Sequence, residues 1–415
     1  MSQSDGSQNT YLWIGKLVMI SLAPPFTKAL SVMHKIEAAG FEAYFVGGSV
    51  RDTLLHQPIN DVDIATSALP EEIKTIFPKT VDVGIEHGTV MVLWKGEHYE
   101  ITTFRTESTY QDFRRPDEVT FVRSLKEDLK RRDFTVNALA MDQKGNIIDY
   151  FDGQTDLANK VIRAVGSPHE RFHEDALRMM RAVRFISQLG FKMEKETIAA
   201  IEKNHALLEK IAVERIQVEF LKMLMGIGRK NGLLIFIETG LFKYCPGLRN
   251  HEKALEAFAK NQLNLSTSLS AWTFLLFYLE VKSEEVEPFL RAWKCSRKEI
   301  QQVETAYRAL KVRMNRSLDR LELYQTGLEI ALEVEKMAES FGIPVYPLQV
   351  KETYESLPIK SKKALAITGN DLISSLKIEP SREIGLLLEK AEKAVLEGKV
   401  GNETIQILNW LKEER

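Results

Sequence analysis

The sequence predicts an α+β fold, with a small mixed β-sheet in the first part of the chain and an all-helical remainder. Three observations predict it. Short runs rich in β-branched and aromatic residues cluster between Tyr44 and Phe104. Helix and hairpin signals punctuate those runs. After Asp149 the strand signals mostly stop and long amphipathic patterns take over.

In order, Phe26, Leu30, Met33 and Ile36 recur at helical spacing from Pro25 to Gly40, where the glycine closes the helix. Strands are expected at Tyr44–Val46, Val62–Thr66, Thr80–Val83, Thr89–Trp94 and Tyr99–Phe104, with a helix start at Pro70-Glu71-Glu72-Ile73 between the second and third. Lys95-Gly96-Glu97 marks a hairpin. The polar stretch Glu107–Arg123 looks like a mobile loop near the site. Helices are expected over 169–189, 194–204, 213–228, 252–260, 268–281, 298–312, 318–340, 361–367 and 381–397.

Composition sets the outer bounds. At 415 residues the chain exceeds one ordinary core, and 44% hydrophobic with 27% charged residues is a soluble, globular balance. A net charge of −2 gives no global pull toward nucleic acid, so a polyanion must be met by local patches. Two cysteines, Cys245 and Cys295, fit neither a disulfide framework nor a zinc site and point to a reducing, cytoplasmic setting. The apolar run Tyr11–Pro25 is interrupted by Lys16, too short to span a bilayer and without a cleavage site. Residues 1–20 read as an N-terminal extension, with Met19 an alternative start.

The chemistry concentrates at Phe45-Val46-Gly47-Gly48-Ser49-Val50-Arg51-Asp52, followed by Asn60-Asp61-Val62-Asp63-Ile64. Paired glycines let the backbone approach a bulky anion, Ser49 is placed to cap the following helix, and Arg51 adds a fork of donors. Asp61 and Asp63, two apart on a strand, share a face. Side-by-side carboxylates repel unless a cation lies between them, and hard oxygen ligands beside phosphates select Mg²⁺. Each piece alone is commonly a turn or a solvated acid; together, in this order, they point to nucleotidyl transfer.

Two further motifs are basic. In Lys130-Arg131-Arg132-Asp133-Phe134-Thr135-Val136-Asn137-Ala138, Arg132 either complements a helix C-terminus or reaches a triphosphate. In Glu174-Asp175-Ala176-Leu177-Arg178 through Arg184-Phe185, Arg178, Arg181 and Arg184 share one helical arc with Asp175 at its border. The bland reading is a solvated face with an Asp175–Arg178 ion pair; three arginines in place of lysines favour base edges and phosphates. His169-Glu170-Arg171-Phe172-His173 fits a zinc-protease pattern. Gly166-Ser167-Pro168 puts it in the first turn of a helix with no third ligand in reach, which argues against zinc.

These motifs, with Glu214-Arg215-Ile216-Gln217-Val218-Glu219 after them, closely resemble the class II bacterial tRNA nucleotidyltransferases, the CCA-adding family of the polymerase-beta-like superfamily. The resemblance implies a nucleotidyltransferase head over 21–150, a base-recognising neck over 151–225, a helical body over 226–310 and a tRNA-binding tail over 311–415. It implies Asp61 and Asp63 as catalytic metal ligands for Mg²⁺, with Glu100 ranked below them as a third carboxylate. Gly48, Arg51 and Arg132 would cradle the triphosphate of CTP or ATP. Asp175 and Arg178 would read the base, and Arg181 and Arg184 would buttress it. By the same resemblance, a loop at Asp112–Arg123 argues against an enzyme that adds only CC. The rivals are an A-adding enzyme or poly(A) polymerase and, in another class, a non-catalytic RNA-binding protein. Arg291, Lys294, Arg297, Lys298, Arg308, Lys311, Arg313 and Arg316 are candidate contacts to RNA phosphates.

Overall fold

The computed structural model describes residues 12–14, 17–59, 61–107, 119–261 and 265–414. Asn60 and most of the expected loop at Asp112–Arg123 lie outside them. The fold is α+β, as the sequence predicts, and divides into two units, Met1–Glu252 and Lys253–Arg415.

The first unit is built on a seven-stranded mixed sheet. Its strands are β1 (Ala43–Val46), β2 (Asp63–Thr66), β3 (Thr80–Gly84), β4 (Thr89–Trp94), β5 (Glu97–Thr103), β6 (Leu139–Met141) and β7 (Ile147–Asp149), in spatial order β7-β6-β1-β2-β5-β4-β3. Only the β2–β5 pair is parallel. The β4–β5 hairpin turns on Lys95 (φ 52°) and Gly96 (φ 84°), the doubly positive geometry of a two-residue I′ turn. Helix α1 (Pro24–Ala38) lays Phe26, Val32, Met33 and Ile36 against the sheet layer, with Phe26 edge-on to Phe45 at 4.8 Å. Strands β6 and β7 escape the sequence reading because Leu139-Ala140-Met141 is short, alanine-bearing and buried throughout, so it shows no alternation. Inside the expected extension, Ile20 is buried and its N–H donates to the Gly145 carbonyl at 2.9 Å.

Two expected helices are broken. The 169–189 pattern splits into α5 (Pro168–Glu174) and α6 (Leu177–Leu189), with Asp175 extended between them (φ −137°, ψ 104°). Helix α7 (Val213–Leu224) packs beside α6. In the second unit Gly327, at φ 76°, interrupts the expected 318–340 helix, and 361–367 holds only a 3₁₀ turn at Lys362–Ala364. The helix Arg229–Glu238 was masked by Gly232, which reads as a breaker. In the fold that glycine lets the helix approach Ser187, whose Cβ would lie 2.7 Å from an added methyl.

The second unit is entirely helical among its described residues. Trp272 and Trp293 pack edge-on at 5.2 Å in its core. A second cluster gathers Leu357, Ile359, Leu372, Val395, Ile407 and Leu411. Helix α8 (Arg297–Arg313) ends in a buried ion pair with α9 (Leu328–Glu339): Arg313 Nε lies 2.5 Å from Glu335 Oε1. Arg313 also donates to the Pro344 carbonyl, and Glu335 accepts from the Tyr346 N–H at 3.1 Å. Arg313 is therefore removed from the candidate RNA contacts, because only 3% of it is exposed.

Arg313→Ala should destabilise the protein by roughly 3–5 kcal/mol by stranding the Glu335 carboxylate, whereas Arg313→Met with Glu335→Leu should cost far less. Urea unfolding of the two variants checks the contrast.

Candidate active site

The glycine turn carries its conformation in one residue. Gly47 sits at φ 73°, ψ −139°, and α2 (Gly48–Leu54) starts directly after it. Ser49 therefore lies inside the helix and is not its cap, contrary to expectation. Its hydroxyl is buried and donates to the Val46 carbonyl at 3.1 Å. A Cβ added at Gly47 would lie 3.4 Å from Arg132 Nη1 and 3.4 Å from Asp63 Oδ2, so guanidinium and carboxylate both close on this backbone.

Asp63 opens β2, and Asp61 precedes the strand instead of lying within it. Both line a cavity of about 540 Å³ together with Glu100. Glu100 is the direct register partner of Asp63 across β2–β5, so the two carboxylates start side by side. Partial burial pushes the Asp63 carboxyl up, Glu100 and Asp61 add to this, and Arg132 opposes it. Among the described residues no three His, Cys, Asp or Glu side chains form a complete metal cage. A hard divalent ion that keeps waters and substrate phosphates as ligands needs only one or two carboxylates, so this repelling donor set fits it.

The triphosphate candidates converge from three elements. Arg51 Nη1 donates to Asn137 Oδ1 at 2.7 Å, Nε donates to Asp52 Oδ1 at 2.8 Å, and the guanidinium lies 5.2 Å from the Phe185 ring centre. A Cβ at Gly48 would meet Arg51 Nη2 at 3.5 Å, so Arg51 folds back over that glycine. Arg132 follows α4 (Leu125–Lys130) and is anchored at Asp128 Oδ2, 3.3 Å away. Its buried Nε has no hydrogen-bond partner among the described residues, and burial lowers its pKa. Asp128 is almost wholly buried. Burial raises its pKa, but Arg131 and Arg132 more than offset this and hold the carboxyl below its usual range.

The arginine face of α6 is not a solvated one. Arg178 donates to Glu174 Oε2 at 2.5 Å and to the carbonyls of Arg131 (2.9 Å) and Arg171 (3.3 Å). Arg181 pairs with Asp133 Oδ2 at 2.6 Å. Arg184 Nε lies 2.8 Å from Glu219 Oε2 and its guanidinium 3.8 Å from the Phe185 ring. Burial draws the Arg184 pKa down to about 10 despite Glu219. The Asp175–Arg178 ion pair of the bland reading does not form. With the chain extended at Asp175, its carboxylate accepts from Leu177 N–H at 3.0 Å and from Arg215 Nη2 at 2.8 Å.

Asp133, Asn137, Glu174, Phe185, Arg215 and Glu219 were not singled out by sequence reasoning, although all lie within the motifs quoted for it. Asp133 accepts from its neighbour Phe134 N–H (2.8 Å), Asn137 Nδ2 (3.0 Å) and Arg181. Burial works against ionisation there, yet Arg181 and Asn137 hold the carboxyl at about 2. The zinc-like pair is accounted for locally: His169 Nδ1 meets Asn204 Nδ2 at 2.9 Å and His173 Nδ1 meets the His169 carbonyl at 2.9 Å.

The chain is similar to known proteins along most of its length. Family models match as "Poly A polymerase head domain" over 43–163, "Probable RNA and SrmB- binding site of polymerase A" over 190–251 and tRNA nucleotidyltransferase domain 2 over 263–411. The chain is 54% identical over 393 residues to a CCA-adding enzyme of Enterococcus faecalis, covering 94% of this chain and 96% of that one. It is 53% identical over 388 residues to a CCA-adding enzyme of Ligilactobacillus salivarius, covering 93% and 96%. Among solved structures it is similar to the Bacillus stearothermophilus CCA-adding enzyme in complex with CTP, with TM-score 0.87 and 44% identity over 95% of this chain and 98% of that one.

Asp133 has a folded pKa of about 2 against ~3.9 unfolded, so its contribution to stability is complete above pH ~4 and is lost as pH falls toward 2. Asp133→Asn should cost roughly 1–3 kcal/mol near neutrality by unpairing the half-buried Arg181, which keeps Glu219 nearby and part of its hydration. It should also remove Asp133's part of the acid-induced loss, as read from urea unfolding across pH.

Proposed function

Given that this chain belongs to the CCA-adding enzymes, the tRNA nucleotidyltransferases, we propose that its chemistry is carried by Asp61 and Asp63 at the Gly47–Gly48 turn. The activity is the addition of the 3′-terminal CCA to tRNA from CTP and ATP with release of pyrophosphate. The family depends on a divalent metal. The observation that carries the site assignment is the convergence of Asp63 Oδ2 and Arg132 Nη1 on Gly47.

Asp61 and Asp63 would hold Mg²⁺, with Glu100 beside them; bound there, the ion supplies charge neutralisation for the reacting phosphate. Gly48 offers a backbone with no Cβ to fend off the triphosphate, and Arg51 and Arg132 supply its donors. The terminal hydroxyl of the tRNA attacks the α-phosphate, the new O3′–Pα bond forms in line with the breaking one, and pyrophosphate leaves. Little covalent chemistry falls to the protein, so its work is positioning.

Base choice is assigned to Asp175 and Arg178. The Asp175 carboxylate has about four acceptor positions. Leu177 and Arg215 use three, with Arg215 Nη1 at 3.5 Å as the weakest. The exocyclic amine of cytosine or adenine can donate to what is left, while a ring nitrogen accepts from Arg178. Uracil presents an acceptor where Asp175 needs a donor, and guanine a donor where Arg178 needs an acceptor. Arg181 and Arg184 act as buttresses. The head (21–150), neck (151–225), body (226–310) and tail (311–415) divide the labour, the tail meeting tRNA, in a cytoplasmic enzyme. No described helix is long and apolar enough to cross a membrane.

Asp61→Ala and Asp63→Ala should each lower CCA incorporation into tRNA lacking its 3′ end by at least about 10²–10³-fold while sparing tRNA binding in a filter assay. Full turnover in either would refute the assignment. Asp175→Ala should retain transfer but narrow the preference for CTP over UTP by roughly 10–100-fold, the scale of one base-edge contact. Incorporation assays with single nucleotides measure this.

A further inference from the structure

Asp128 lies within the short helix α4 with 1% of its side chain exposed, and donors from two segments close on its oxygens. Oδ1 accepts Arg131 Nε at 3.0 Å, Arg131 Nη2 at 2.8 Å and the Arg105 N–H at 3.3 Å. Arg105 opens the antiparallel ribbon that pairs Arg105–Glu107 with Val119–Phe121. Oδ2 accepts Arg132 Nη2 at 3.3 Å. These donors fill the roughly four acceptor positions of a carboxylate, and one negative charge serves two guanidiniums.

The two arginines leave that carboxylate in different directions. Arg132 is held by little else: among the described residues its Nε has no partner, and its Nη1 reaches the Asn137 carbonyl only at a long 3.5 Å. Nη1 also lies 3.4 Å from a Cβ built on Gly47, so the bond to Oδ2 sets where this guanidinium meets the glycine turn. Arg131 folds its side chain back onto Oδ1 and turns its carbonyl outward, where Arg178 Nη2 donates to it at 2.9 Å.

We propose that Asp128 is a positioning residue, which aims Arg132 at the triphosphate with Oδ2 and, through Arg131, fixes Arg178 with Oδ1. This role rests on reading Arg132 as a triphosphate donor and Arg178 as a base reader. The bland alternative is a buried acid that only balances charge. A charge-balancing acid needs one arginine, whereas Asp128 divides its oxygens between two whose far ends serve different parts of a nucleotide.

Asp128→Asn in the full chain separates the two oxygens. The amide oxygen stays with the donors at the Oδ1 position, and the NH₂ then faces Arg132 Nη2, donor against donor. Pyrophosphate binding in the presence of Mg²⁺, measured calorimetrically, should weaken roughly tenfold, the scale of one hydrogen bond to a charged group. Loss of the negative charge by itself would tighten it. The preference for CTP over UTP in single-nucleotide incorporation should stay at the parent's value. Asp128→Ala should narrow that preference as well as weaken pyrophosphate binding. Unchanged or tighter pyrophosphate binding by a folded Asp128→Asn overturns the proposal, and so does a CTP preference that survives Asp128→Ala. Should neither variant fold, Asp128→Glu keeps the charge and moves the carboxylate by one methylene; weaker pyrophosphate binding there supports the aiming role, and parent-like binding refutes it. Arg132→Ala tests the reading beneath. If it leaves pyrophosphate binding intact, Arg132 is no triphosphate donor and that reading falls. If Arg132→Ala weakens binding and Asp128→Asn does not, the reading stands and the positioning role falls. In the double variant, Asp128→Asn should add nothing to Arg132→Ala; additive losses would mean that Asp128 does not act through Arg132.

Discussion

Asp133 is a buried carboxylate that can only accept, and the orientation of much of the site follows from that constraint. It takes Asn137 Nδ2 at 3.0 Å, which settles which way the amide faces, and the amide oxygen is left to receive Arg51 at 2.7 Å. The same carboxylate takes Arg181 from α6. Arg51 and α6 are thus held in fixed relation through two side chains, and Phe185, stacked against both Arg51 and Arg184, closes the circuit from the other side. In a low-dielectric setting each such bond limits the freedom of the next.

A second constraint runs across the sheet. Register places Asp63 opposite Glu100 in the β2–β5 ladder. Burial first, and then the neighbouring Glu100 and Asp61 charges, push the carboxyl of Asp63 up against the opposing pull of Arg132. Strain of this sort costs stability wherever it occurs, and it is typical of a site arranged for a cation and a polyanionic substrate. The sheet supplies the stiffness that keeps the acids from turning apart.

How much of this could be read from residues alone differs from place to place. The glycine turn, the Asp61/Asp63 pair and the two basic motifs were legible because each is local: a few residues with a spacing that limits their chemistry. Ser49 was misplaced because capping depends on where Gly47 bends the chain, and a positive φ leaves no mark beyond the glycine itself. The partners of Asp175 and Arg178 were illegible because a three-residue spacing implies a pair only if the helix is continuous, and here it stops at Asp175. Arg313 looked like one more surface cation. Its burial depends on Glu335, 22 residues away, whose own role is invisible until α8 and α9 pack. The Asp63–Glu100 pairing is a fact of strand register, which short motifs do not encode.

The arginine helix bears on how a protein can choose a nucleotide without a nucleic-acid template. A flexible basic surface would bind any triphosphate and discriminate poorly, since attraction to phosphate carries no information about the base. Discrimination needs donors and acceptors that cannot adjust to the wrong partner. Arg178, Arg181 and Arg184 are each held by a carboxylate, Glu174, Asp133 and Glu219, which is the rigidity the proposed base-reading role requires. Asp175 is held in turn by Arg215. The three acids also offset most of the charge that three arginines bring to a buried helix, which would otherwise be costly to desolvate. The overall charge of −2 is then no obstacle to RNA chemistry, because what counts for a bound polyanion is the local placement of positive charge and not the sum over the chain.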